Sequence, residues 1–89
     1  MLRITKTEDS GTTVVLKLEG KVTEQWAALL DAECRALLRN HKTLSLDCAG
    51  VNFLDARGVE VLRRLRLSAV SIIGAPGIVT ELLQTGGQS

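Results

Sequence analysis

The chain of 89 residues has 45% hydrophobic side chains and a net charge of +1, which suits one packed domain and leaves no room for two. That apolar content argues against disorder, while near-neutral charge with one Trp, one Phe and no Tyr offers neither the basic footprint nor the stacking rings of a nucleic-acid binder. No apolar run reaches the ~18 residues of a membrane span, and "MLRITKTEDS" lacks a signal-peptide core, so a cytoplasmic location without membrane insertion is expected.

Leu2 and Ile4 alternate with Arg3 and Thr5, which predicts a short strand over residues 2–7. "EDSG" (Glu8 to Gly11) reads as a turn, and "TTVVLKLEG" resumes the alternation with Val14, Leu16 and Leu18 on one face. The pair forms an antiparallel hairpin that Gly20 ends. Thr23 is placed to cap a helix over 24–39, with Trp26, Leu30, Cys34 and Leu37 on one stripe and Asp31, Arg35 and Arg39 facing water. Its place on that stripe makes Trp26 a buried residue packed against the sheet. "RNHK" breaks the helix, and "TLSLDCAG" is a strand with Leu44, Leu46 and Cys48 inward. Gly50 and Asn52 then mark a loop.

A second helix begins after Asp55, "AVSIIGA" (69–75) is a further strand, and Pro76 opens a last helix carrying Ile78, Val79, Leu82 and Leu83. The expected order is β-β-α-β-α-β-α. Strand–helix–strand repeats require parallel pairing through right-handed crossovers, whereas the opening hairpin is antiparallel. Because the strands alternate instead of running apolar throughout, the fold class is α/β, a small mixed sheet with its first strand antiparallel, the rest parallel, and its helices mainly on one face. The domain is expected over 1–85, with a flexible tail at 86–89.

Catalytic chemistry finds little support. Cys34 and Cys48 lack metal-ligand spacing, and the one histidine, His41, falls in a polar turn. They read as reduced, buried thiols that do not pair with each other. No Ser-His-Asp or Cys-His set is present to converge. "GAPG" (Gly74 to Gly77) lacks the Gly-Lys-Ser/Thr ending of a phosphate loop and reads as a turn before a helix. The expectation is a protein that is not an enzyme and needs no metal or cofactor.

The segment "LDCAGVNFLDARGVEVLRRLR" (Leu46 to Arg66) is more informative. Gly58, Val61, Leu62 and Leu65 form an apolar stripe, and Arg57, Glu60, Arg63 and Arg64 occupy the other side. Asp55 is placed as N-cap, its carboxylate accepting a bond from the Arg57 or Gly58 amide. Gly58 lets the start of the helix lie close to the sheet. Glu60 is spaced to pair with Arg57 and Arg64. Arg57 has no such structural reason, since its charge opposes the helix dipole at that position.

This pattern resembles the STAS domain of anti-sigma factor antagonists. The carriers are "TLSLDCAGVNFLDARGVEVLRRL", similar to that family's strand, Gly-Val loop, hydrophobic-Asp-Ser-Ser-Gly turn and helix, with "VVLKLEGKVT" upstream and "VSIIGAPGIVTELLQTGG" downstream. The resemblance implies a non-enzymatic protein-interaction module of bacterial signalling and transcription regulation, whose partner is an anti-sigma factor or serine-kinase-like ATPase. In the family a serine of the turn is phosphorylated. Here Ala56 and Arg57 stand at those positions, and neither accepts phosphate.

The expected partner-binding residues are therefore Asp55, Ala56, Arg57, Glu60, Arg63 and Arg64. Arg57 either contacts an acidic patch, attracts an anion to the helix start, or is a solvated residue paired with Glu60. Similar single STAS domains also serve as small subunits on the ATPase of lipid-trafficking ABC transporters, where no kinase is required. That is the second expectation.

Overall fold

Alternating apolar residues build the sheet, and helical stripes cover one side of it. The computed structural model describes residues 1–40 and 42–85, so the readings of His41 as a turn residue and of 86–89 as a tail lie outside the described residues. The elements are β1 (Leu2–Asp9), β2 (Thr13–Val22), α1 (Glu24–Arg39), β3 (Thr43–Leu54), α2 (Ala56–Leu67), β4 (Ser71–Ile73) and α3 (Gly77–Thr85). The expected order holds. The sheet runs β1-β2-β3-β4, with β1 antiparallel to β2 and the other pairs parallel.

On β2, Val14, Leu16, Leu18 and Val22 are buried, and Val15 and Lys17 between them are only half-buried. On β3, Leu44, Leu46 and Cys48 face the same core. Contacts of α1 with α2 and of α2 with α3 make one helical layer over that face. Leu30 and Cys34 of α1, Val61, Leu62 and Leu65 of α2, and Val79 and Leu83 of α3 close the core. Each fully buried Leu or Val contributes about 1.5–3 kcal/mol relative to exposure.

Several boundaries differ from the sequence reading. β1 continues to Asp9, so the turn is tighter than "EDSG"; the Gly11 amide donates to Asp9 Oδ1 at 3.1 Å and Gly11 takes a positive φ of 91°. Gly20 does end the hairpin's pairing, opposite Leu2, but β2 itself runs on to Val22. Gly50 and Asn52 do not form a loop. They lie inside β3, which twice runs one residue longer than β2, between the pairs Lys17↔Asp47 and Glu19↔Gly50, and again between Gly20↔Val51 and Lys21↔Phe53. Turn-forming residues are expressed here as bulges, because the flanking residues keep their pairing. β4 contains only Ser71–Ile73, and Ile78 is 61% exposed instead of joining the core.

On α1 the centre of the buried face is Ala27, Leu30 and Cys34, so Trp26 and Leu37 sit at its margin and are half-buried. Trp26, expected to be largely buried, is half-buried and packs against the core from its margin. Asp31 does not face water freely: its side chain is 18% exposed and takes the Arg35 Nε at 3.0 Å. Both cysteine thiols are free and buried. No helix of the described residues is long and apolar enough to cross a membrane.

Candidate functional site

Two parallel strands, β2 and β3, end side by side, and each feeds a helix. Val22 and Leu54 close the strands as buried residues. The starts of α1 and α2 are consequently brought together at one end of the sheet, each with unsatisfied amides and positive dipole.

Asp55 answers both. Its backbone is extended (φ −88°, ψ −177°), as an N-cap requires, and its Oδ1 accepts from the Gly58 amide at 2.7 Å. The other oxygen, Oδ2, accepts from the amide of Glu24 at 3.0 Å, across a sequence separation of 31 residues. Thr23 has the extended backbone of an N-cap but forms no side-chain cap bond, so its expected role passes to Asp55. Glu24 itself has a φ of +43°, a strained value for a residue with a side chain. The Asp55 carboxylate anchors that strained residue.

Gly58 explains how near α2 lies to the sheet. A methyl group at this position would collide with the Val22 carbonyl oxygen, so only glycine allows this approach. Asp55 also donates its own amide to that carbonyl at 3.4 Å. The first turn of α2 is therefore set directly on the end of β2.

Glu24, Asp55, Ala56, Arg57 and Glu60 line one shallow depression at this end. A second runs down the outer side of α2, lined by Ala56, Val59, Glu60, Arg63, Arg64 and Leu67. The six residues singled out from the sequence thus line two adjoining depressions. Ala56, Arg57, Glu60 and Arg64 are exposed, while Asp55 and Arg63 are half-buried. The expected pairing of Glu60 with Arg57 or Arg64 does not form, whereas Lys6 pairs with Asp9 and Arg35 with Asp31. Exposed pairs are weak enough that side-chain entropy outweighs them.

Arg57 nevertheless stands among carboxylates. Glu24 and Glu60 line the same depression, and the Asp55 carboxylate fills the first turn of its helix. Their negative charge offsets the unfavourable placement of a cation at a helix start. Glu24 was not legible as part of the site, because a contact across 31 residues leaves no local signal. Phe53, two residues before Asp55, is 50% exposed. Among the described residues no group of three His, Cys, Asp or Glu is placed to hold a metal ion.

A family model described as "Mlab, STAS domain" matches residues 5–88. No curated protein matches the sequence. Among solved structures, the anti-sigma factor antagonist SpoIIAA in its unphosphorylated form is similar, with a TM-score of 0.70, 21% identity, and coverage of 94% of this chain and 84% of that one. An anti-sigma factor antagonist STAS domain from Rhodobacter sphaeroides gives a TM-score of 0.59 at 18% identity, covering 82% and 86%. The structure of Mglu gives 0.63 at 25% identity over 79% of this chain but only 19% of that one, so the likeness concerns a small part of Mglu.

Proposed function

Because this chain belongs to the family described as "Mlab, STAS domain", we propose that it is a non-enzymatic interaction module whose protein partner docks over Asp55, Ala56, Arg57, Glu60, Arg63 and Arg64. The observation that carries this reading is the joint start of α1 and α2, tied by one carboxylate into a rigid base under an exposed, charged surface. Binding residues held on packed elements need less ordering when a partner arrives.

Docking is independent of phosphorylation at the turn, since Ala56 and Arg57 have no hydroxyl. In the first reading the partner is an anti-sigma factor or serine-kinase-like ATPase in bacterial signalling, in line with the anti-sigma factor antagonists that share the fold. In the second it is the ATPase of a lipid-trafficking ABC transporter in the cytoplasm. Two observations favour the second: the missing phosphoacceptor, and a family description, Mlab, distinct from the names those solved structures bear.

Tagged protein is isolated from its native host and bound proteins are identified; recovery of an ABC ATPase or of a kinase-like ATPase separates the two readings. Arg57→Glu then tests the surface. Folding stability is expected to stay within about 0.5 kcal/mol, as for other exposed substitutions. Affinity is expected to fall by about 1–3 kcal/mol where a charge-assisted contact is reversed. Unchanged affinity and salt dependence would remove Arg57 from the interface. Arg57→Ser restores a hydroxyl, and labelling of that variant by a host kinase would support the first reading.

A further inference from the structure

Phe53 is the chain's one phenylalanine, and it is 50% exposed on the end of β3 that pairs with β2 alone, beyond the reach of β4. Strict alternation from buried Val51 would turn Asn52 outward, Phe53 into the core and Leu54 outward. The structure keeps Asn52 exposed and reverses the next two positions: Phe53 is exposed and Leu54 is buried. The extra residue between the pairs Gly20↔Val51 and Lys21↔Phe53 makes the exchange. The bulge places Leu54 in the core and delivers the aromatic ring to solvent, two residues from Asp55.

Its cross-strand neighbour, Lys21, is exposed as well. Isolated apolar residues on a surface are ordinary. This one is an aromatic ring on backbone paired with β2, and its chain continues directly into the Asp55 turn. Interfaces are dominated by such rigid aromatic anchors near their centre, with charged residues at the rim.

We propose that Phe53 is the apolar anchor of the docking surface, entering a pocket on a folded protein partner whose rim presents a carboxylate to Lys21. The inference rests on the reading of the Asp55–Arg64 region as partner-binding. It extends that surface from the helix starts over the end of the sheet.

The test titrates the purified ATPase subunit of the host's lipid-trafficking ABC transporter, and in parallel its kinase-like anti-sigma factor, with wild type, Phe53→Ala, Lys21→Glu and Arg57→Glu. Phe53→Ala is expected to weaken binding about 30-fold, the level of an interface anchor, with an unchanged melting temperature. Lys21→Glu is expected to weaken it less and to alter its salt dependence. If Arg57→Glu weakens binding and Phe53→Ala does not, the anchor is refuted while the docking reading stands. If neither protein binds, or no variant changes the affinity, both fall. A large drop in melting temperature for Phe53→Ala would make the ring a packing residue and overturn the inference. Self-association in sedimentation that Phe53→Ala abolishes would overturn it in favour of a second copy.

Discussion

Single residues decide how this surface is held. Gly58→Ala forces a methyl group against the Val22 carbonyl, a backbone group of β2 that cannot swing aside as a side chain would. A loss of about 1–3 kcal/mol is expected, as for other overpacked positions, read as a lower urea midpoint at unchanged slope. The thiols respond to burial in a different way. Burial, with the nearby carboxylates Asp31 and Glu33, pushes Cys34 up to about 12, and burial with Asp47 pushes Cys48 up to about 11. Both therefore stay protonated in the folded chain at neutral pH. A thiol-specific disulfide reagent is expected to be inert until denaturant is added. In the unfolded chain these thiols ionise near pH 8.5, so stability holds below that pH and falls as pH rises from there through about 11 to 12. Trp26, half-buried at the margin of its stripe, is expected to show partial quenching by acrylamide. Complete protection would place it in the core after all.

Among the elements, the two ends of α2 are held differently. Its start depends on Asp55, and Asp55→Ala removes acceptors from the Gly58 and Glu24 amides together. A cap alone is worth about 0.5–2 kcal/mol, so a cost at or above the top of that range is expected, with faster hydrogen exchange at both amides. At the other end Ala69 takes a φ of +70°, its amide bonding to the Arg66 carbonyl and the Val70 amide to that of Leu65. This is a Schellman closure with alanine where glycine is preferred. Ala69→Gly is expected to stabilise the chain by about 1 kcal/mol, measured by denaturant unfolding. Local chemistry made the Asp55–Gly58 cap legible in the sequence, together with the stripe Gly58, Val61, Leu62 and Leu65. The continuity of β3 was not legible, because Gly50 and Asn52 have the same signature in a bulge as in a loop.

At the scale of the molecule, alternation and helical spacing were enough for the order of elements and the mixed sheet, since each is a short-range pattern. What joins one element to another was not readable: the bond from Asp55 to Glu24, the collision that requires Gly58, and the exposure of Ile78 all depend on partners distant in sequence. The same map of joints bears on how the fold comes apart. β4 meets β3 through only three residue pairs, Ser45↔Ser71, Leu46↔Ile72 and Asp47↔Ile73, whereas β2 pairs with β3 along most of its length. Opening of β4 with α3 therefore breaks little ladder, and amides of this C-terminal unit are expected to exchange with deuterium ahead of those in β2 and β3. The Asp55 cap lies wholly within the slower unit, joining β3 and α2 to α1. A partner that docks there grips the part of the molecule that yields last, and its residence does not depend on the edge strand staying closed.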